Sequence, residues 1–370
     1  MNIKNSKISL LVLAIIIAGL GLLSPFTLTD LKSGFVGRLL GLAVISTPIT
    51  TNNTSDTVEM YYSRATSSWV VRAPDGSLIN TNGSTCDGLP EAVTYAQKNG
   101  YNLHVDGGQL TDKGRPSNHT EIICHNTLWL PPLQHASIVF ESVTLAFPPG
   151  IGNNPGLVFD SAMLLDFKMS GQIAYAGTGR AVYFFPRSPV PLDNVPGMVD
   201  STISFIGVAM EQDINKATAE AAVAFDMSSA AIQRVKFEFQ EVNGGNTGIM
   251  VFSPPNSTGF LLNDIRANVH GSRNTGVSIG HAPTNHIYGN RWFLNIQSTP
   301  SGASLAALIS WAQNDFISVN IQDGEIGKFR TLDGIKLENS ASKNHIFVGR
   351  NDAKNPVNDQ SSAKNNKIYK

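Results

Sequence analysis

Apolar pairs return along the second half of the chain every 26 to 30 residues, a period that admits few folds other than stacked repeats. The stretches AVAFDM, NTGIMVF, NTGVSIG, AALISW and DGIKLE, starting at Ala222, Asn246, Asn274, Ala306 and Asp333, align into two apolar columns. One holds Val223, Ile249, Val277, Ala307 and Ile335; the other, two residues on, holds Phe225, Val251, Ile279, Ile309 and Leu337. Apolar side chains at alternate positions are the mark of a strand with one face buried. A second family runs through NHIYGN at Asn285, NDFISV at Asn314 and NHIFVG at Asn344, with a partial copy, NNKIYK, at Asn365. Its apolar column reads Ile232, Phe260, Ile287, Phe316 and Ile346. The spacing predicts two strands and a turn per period, stacked in parallel about 4.8 Å apart. Asn285, Asn314 and Asn344 are expected at successive corners, where asparagine tolerates turn backbone and its amide can bond the copies above and below.

Composition agrees with strands and turns. Charged residues make up 15% of the 370, and 32 asparagines are present; ordinary chains are nearer about 25% charged. A formal net charge of -1 removes the electrostatic case for nucleic acid as a partner. Residues 1–26 read as a signal peptide or membrane anchor, with two lysines ahead of an apolar run over 8–23. As a helix that run spans about 24 Å, short of the roughly 30 Å hydrocarbon core. Export leaves the chain extracytoplasmic, secreted or held at the cell surface. It also permits Cys86 and Cys124, the two cysteines, to pair; they make no metal signature. The N-x-[ST] triplets at Asn52, Asn53, Asn82, Asn118 and Asn256 are glycan acceptors in a eukaryotic secretory route and chance matches otherwise.

Residues 27–70 read as a β-rich arm or linker, and 71–370 as the repeat domain. Within the latter one helix is expected at 88–99. Leu89, Ala92, Val93 and Ala96 fall at i, i+3, i+4 and i+7, Pro90 sits in the first turn and Gly100 follows the end.

A helix of this kind followed by coils of 27 to 30 residues with an asparagine ladder resembles the right-handed parallel β-helix proteins of the pectate-lyase-like superfamily. The resemblance covers roughly residues 85–370. It implies an all-β, single-stranded right-handed parallel β-helix solenoid with an N-terminal capping α-helix. The superfamily holds polysaccharide lyases, glycoside hydrolases, epimerases, tailspikes and adhesins, so the fold leaves the reaction open. His270-Gly271 is similar to a polygalacturonase motif, but the paired Asp-Asp and Arg-x-Lys elements of that branch are absent.

The expected coil register puts Asp315 between His286 and His345, an arrangement in which a carboxylate could orient a catalytic imidazole or share a metal with it. A solvated polar column beside a turn is the plainer account. Another column sets His281 next to Trp311, whose ring, if exposed, would suit the C–H face of a sugar; it could equally be buried under a loop. Trp292 after Arg291 is a second such candidate, although Asp264, Arg291 and Arg350 also read as a surface salt-bridge ladder. Pro-rich insertions at Phe147 and Phe185 could wall a groove or serve as packing arms. The expectation is an exported protein that binds, and in one version cleaves as lyase or hydrolase, an extended polysaccharide. The rival is a non-catalytic surface, adhesin or tail-fibre-like protein. Whether a cofactor is used is left open by the sequence.

Overall fold

Apolar residues at every second position give each strand one face that must leave water, and this chain buries those faces by laying copies of the strand side by side in parallel. The computed structural model describes residues 56–63, 66–81, 85–107, 120–191, 193–210, 219–252, 258–280, 286–298, 305–323, 333–353 and 355–370. The expected signal or anchor at 1–26 lies outside the described residues. Among these residues no helix is long and apolar enough to cross a membrane.

The described strands form three sheets: a long sheet of 14 strands, a second sheet of nine and a short sheet of seven. The chain visits them in a fixed order, consistent with a β-helix. One rung takes Thr247–Phe252 in the second sheet, Phe260–Leu261 in the short sheet and Asp264–His270 in the long sheet. The next takes Thr275–Ile279, Ile287–Tyr288 and Arg291–Ser298, and the one after that Leu305–Ser310, Ala312–Gln313 and Phe316–Asp323.

The first pair of columns is the observed register of the second sheet. Val223 pairs with Ile249, Ile249 with Val277, Val277 with Ala307 and Ala307 with Ile335, and the Phe225 to Leu337 column follows the same pairings. These side chains are buried, and Phe184 stacks on Phe225 in the interior with ring centroids 4.8 Å apart.

The second column needs correction, because each rung holds three strands and not two. Ile232, Phe260 and Ile287 do pair in succession in the short sheet, but Ile287 continues to Ala312. Phe316 belongs to the long sheet, where it pairs with Arg291 and His345 on the outer face, and Ile346 pairs with the inward Ile317. Short-sheet strands of two residues carry too little pattern to be told from the strand that follows them.

Thr54–Lys370 form one compact unit. The part of the expected arm that is described, Thr57–Ser63 and Ser68–Arg72, is therefore continuous with the repeat domain: the first of these strands pairs in parallel with Asn102–Asp106, and the second lies antiparallel to the first. The helix spans Leu89–Asn99, buries Leu89, Ala92, Val93 and Ala96, and ends at Gly100 with φ 69°. It packs against Thr57–Ser63, Asn102–Asp106 and Leu128–Leu130. Cys86, just ahead of it, is disulfide-bonded to Cys124.

Two outcomes check this register. Ile317→Asp places a carboxylate in the interior and is expected to cost several kcal/mol, whereas Phe316→Asp, one residue away on the outer face, costs far less; thermal melts compare them. Reduction of Cys86–Cys124 is expected to lower stability by about 2–4 kcal/mol, and non-reduced peptide mass spectrometry should recover the linked pair.

Candidate functional site

The outer face of the long sheet carries the side chains left over once the inward ones are buried, and parallel pairing lines them up in columns along the stack. One column holds Glu238, Arg266, Phe293, Ser318 and Phe347; the register pairs each with the next. A second column holds Asn268, Asn295 and Asn320, likewise paired in register. Its amides bond one another: Asn320 Nδ2 donates to Asn295 Oδ1 at 2.9 Å, Asn295 Nδ2 to Asn268 Oδ1 at 2.7 Å, and Asn268 Nδ2 to the Gln240 carbonyl at 2.8 Å. The Arg350 amide donates to Asn320 Oδ1 at 3.3 Å, and Gly349 makes room there, since a Cβ on it would stand 2.0 Å from that oxygen. Between the columns lies a groove of about 340 Å³, lined among others by Gln240, Arg266, Asn268, Phe293, Asn295 and Asn320.

Aromatic rings continue this face over four rungs. Phe293 lies 5.8 Å from Phe316, Phe316 lies 4.9 Å from Phe347, and Phe347 stacks on Tyr369 at 4.4 Å. Phe347 is 37% and Tyr369 40% exposed. The Arg266 guanidinium sits over the Phe293 ring at 5.0 Å.

The side chains of His286, Asp315 and His345 do not converge, although the His345 amide donates to the Asp315 carbonyl at 2.9 Å. His286 is exposed ahead of the short-sheet strand Ile287–Tyr288. His345 is exposed on the outer face of the long sheet, its ring over Tyr369. Asp315 is 1% exposed and occupies the corner ahead of the long-sheet strand. At that corner it stands in the asparagine ladder itself, which runs Asn263, Asn290, Asp315, Asn344 and Asn366. Asn263 Nδ2 donates to Asn290 Oδ1 at 3.1 Å, the Asn290 amide N–H to Asp315 Oδ1 at 2.8 Å, the Asp315 N–H to Asn344 Oδ1 at 2.9 Å, and Asn344 Nδ2 to Asn366 Oδ1 at 3.0 Å. Of the three expected corner asparagines, Asn344 is in the ladder, Asn314 is an exposed residue with φ 53°, and Asn285 lies outside the described residues.

Trp292 is fully buried, two residues after ladder Asn290, in the inward position that Ile265 and Ile317 take on neighbouring rungs. Its indole Nε1 donates to Asp315 Oδ2 at 2.9 Å. That bond accounts for an acid among amides: an asparagine with its oxygen still facing the Asn290 N–H would turn an N–H toward the indole N–H. Arg291 points outward and pairs with Asp264 at 2.8 Å, while Arg350 pairs with Asp352 and not with that column. Trp311 is half-buried at a corner with φ 65°. His281 lies outside the described residues. His270 Nδ1 lies 2.7 Å from Gln297 Oε1. The Pro-rich insertion after Phe185 is pinned beside the second sheet, where Asp160 accepts from the Arg187 and Ser188 amides, and not beside the groove. No group of His, Cys, Asp and Glu among the described residues could hold a metal.

The outer amide column was legible in retrospect at Asn268, Asn295 and Asn320, spaced 27 and 25 residues. The buried ladder was legible as Asn or Asp followed two residues later by a large apolar residue. Searches against family models, curated proteins and solved structures return no match for this chain.

Burial pushes the Asp315 carboxyl up from 3.8 to about 7, against the opposing pull of the Asn290 and Trp292 donors. Because the folded value lies above the unfolded one, the folded state holds the proton longer, and stability is expected to fall by a few kcal/mol as pH rises from about 4 to 7. Asp315→Asn should abolish that slope and, near pH 5, be less stable than the parent by about 1–3 kcal/mol through the orphaned indole N–H. Melts across pH test both.

Proposed function

We propose that this is an exported right-handed parallel β-helix of the pectate-lyase-like kind, capped at its N-terminal end by the Leu89–Asn99 helix, whose long-sheet outer face binds an extended polysaccharide. The observation that carries the reading is the groove beside the aromatic row: rings and amides repeat on successive rungs, so a polymer lying along the stack meets equivalent contacts at each step. Aromatic side chains offer apolar surface to the C–H face of a sugar, and amides answer its hydroxyls. The disulfide fits an oxidising compartment, and the apolar run at 8–23 would direct export there, cleaved or retained as an anchor.

Binding without cleavage is the better-supported form. Glycoside hydrolysis calls on two carboxyl groups flanking the bond. Among the described lining residues the groove has one, Glu238, and Lys236 lies 3.6 Å from it. That supports a binding role, of the kind surface adhesins or fibre-like proteins have, over glycoside hydrolysis.

The test is retention of the full chain on a panel of immobilised polysaccharides, with reducing ends and unsaturated-product absorbance read alongside. Retention without product is expected. The double variant Phe347→Ala/Tyr369→Ala should weaken retention about tenfold with little change in melting temperature. Product formation would return the reading to an enzyme; no retention on any glycan would leave a structural surface protein.

A further inference from the structure

Resting on the glycan-binding reading, we infer that the polysaccharide this face takes is uncharged, and that the outer Asn268–Asn295–Asn320 column, exposed at Asn295 and half-buried at its other two members, is what reads it. Two independent features of the face carry this.

The first is that the cations beside the groove are already engaged by carboxylates: Lys236 lies 3.6 Å from Glu238, Arg266 at 3.6 Å and Arg291 at 2.8 Å share Asp264, and Arg350 pairs with Asp352. Arg266 is engaged a second time by the Phe293 ring, and the register sets Glu238 beside it on the neighbouring strand. Where the strip reaches Phe293, Asn295, Ser318 and Asn320 it carries no charge at all. A polyuronate or sulfated chain would bring a negative group at each step and find no unpaired cation repeating to meet it, so desolvating those groups would go uncompensated.

The second is the valence of the column. Each primary amide has two N–H donors and an oxygen with two lone pairs. The ladder uses one donor and one acceptor of Asn295, toward Asn268 and from Asn320, and leaves one of each facing out. A sugar hydroxyl both donates and accepts, so it matches that remainder; a carboxylate or sulfate group only accepts, and wherever it stood at the column in place of a hydroxyl it would leave the amide oxygen unmet. The ladder also fixes the amides in register without an outside ligand, which lowers the ordering cost of binding.

The experiment is affinity electrophoresis of the full chain through gels holding neutral polysaccharides (a β-glucan, a xylan, a mannan) or charged ones (polygalacturonate, alginate, a sulfated galactan), at low and high NaCl. Retardation is expected in at least one neutral gel, unchanged by salt, and absent from the charged gels. Asn295→Ala and Asn295→Asp should each weaken the neutral interaction about tenfold or more while the melting temperature stays near the parent's. Salt-sensitive retardation in the charged gels alone would overturn the uncharged assignment and leave the glycan-binding face standing. Neutral-gel retardation that Asn295→Ala leaves at parental strength would overturn the role of the column. Retardation in no gel would overturn the glycan reading itself, and this inference with it.

Discussion

Parallel pairing of equivalent strands is the constraint from which the other features follow. Once Val277 is paired with Ile249 on one side and Ala307 on the other, the residues of that strand are aligned with their counterparts above and below. Like then stacks on like: phenylalanines in the interior, amides at the corner, amides and rings on the outer face. The same alignment sets the tolerance of the fold. An inward position has apolar neighbours on both sides and no water, and even at the buried corner a polar group must meet donors already in place, as Asp315 meets Asn290 and Trp292.

The corner ladder shows how one exception forces another. A run of asparagines is self-satisfying, since each side chain accepts from one rung and donates to the next. Trp292 brings an indole N–H into the core where its neighbours have isoleucine, and that N–H needs an acceptor. Asp315 supplies it, giving up the amide's donor toward the next rung and accepting a carboxyl whose burial raises its pKa to about 7. A residue that looks, from its chemistry and the histidines the expected coil register sets on either side, like part of a catalytic set is thus engaged by the packing of the rung. The outer amide column follows the same physics with the opposite exposure. Its ladder bonds hold the side chains in register while half of their hydrogen-bonding capacity faces solvent, available to a ligand.

Much of the fold was legible in the chain. The second-sheet columns, the helix with its four buried residues and the Cys86–Cys124 pair follow from periodicity, capping residues and export chemistry, all of which are local or strongly repeated. The candidate site was legible only in part. Asn268, Asn295 and Asn320 recur at nearly the coil period, yet they stand among 32 asparagines, and the spacing of any two cannot say which face they share. Phe316 looks inward from spacing alone because the two-residue strand Ala312–Gln313 leaves no apolar signature to mark a third strand in the rung.

The sequence by itself determined the strand period, the buried columns of the second sheet and the class of fold, because burying alternate side chains writes a pattern that survives without coordinates. The tertiary structure alone decided the number of strands per rung, the residues of the corner ladder, and the burial of the Asp315 side chain away from the exposed His286 and His345. The reason is that coil lengths differ by several residues from rung to rung. An error of one residue at a corner turns an inward side chain outward, and only the hydrogen bonds between neighbouring rungs fix which residue stands at that corner.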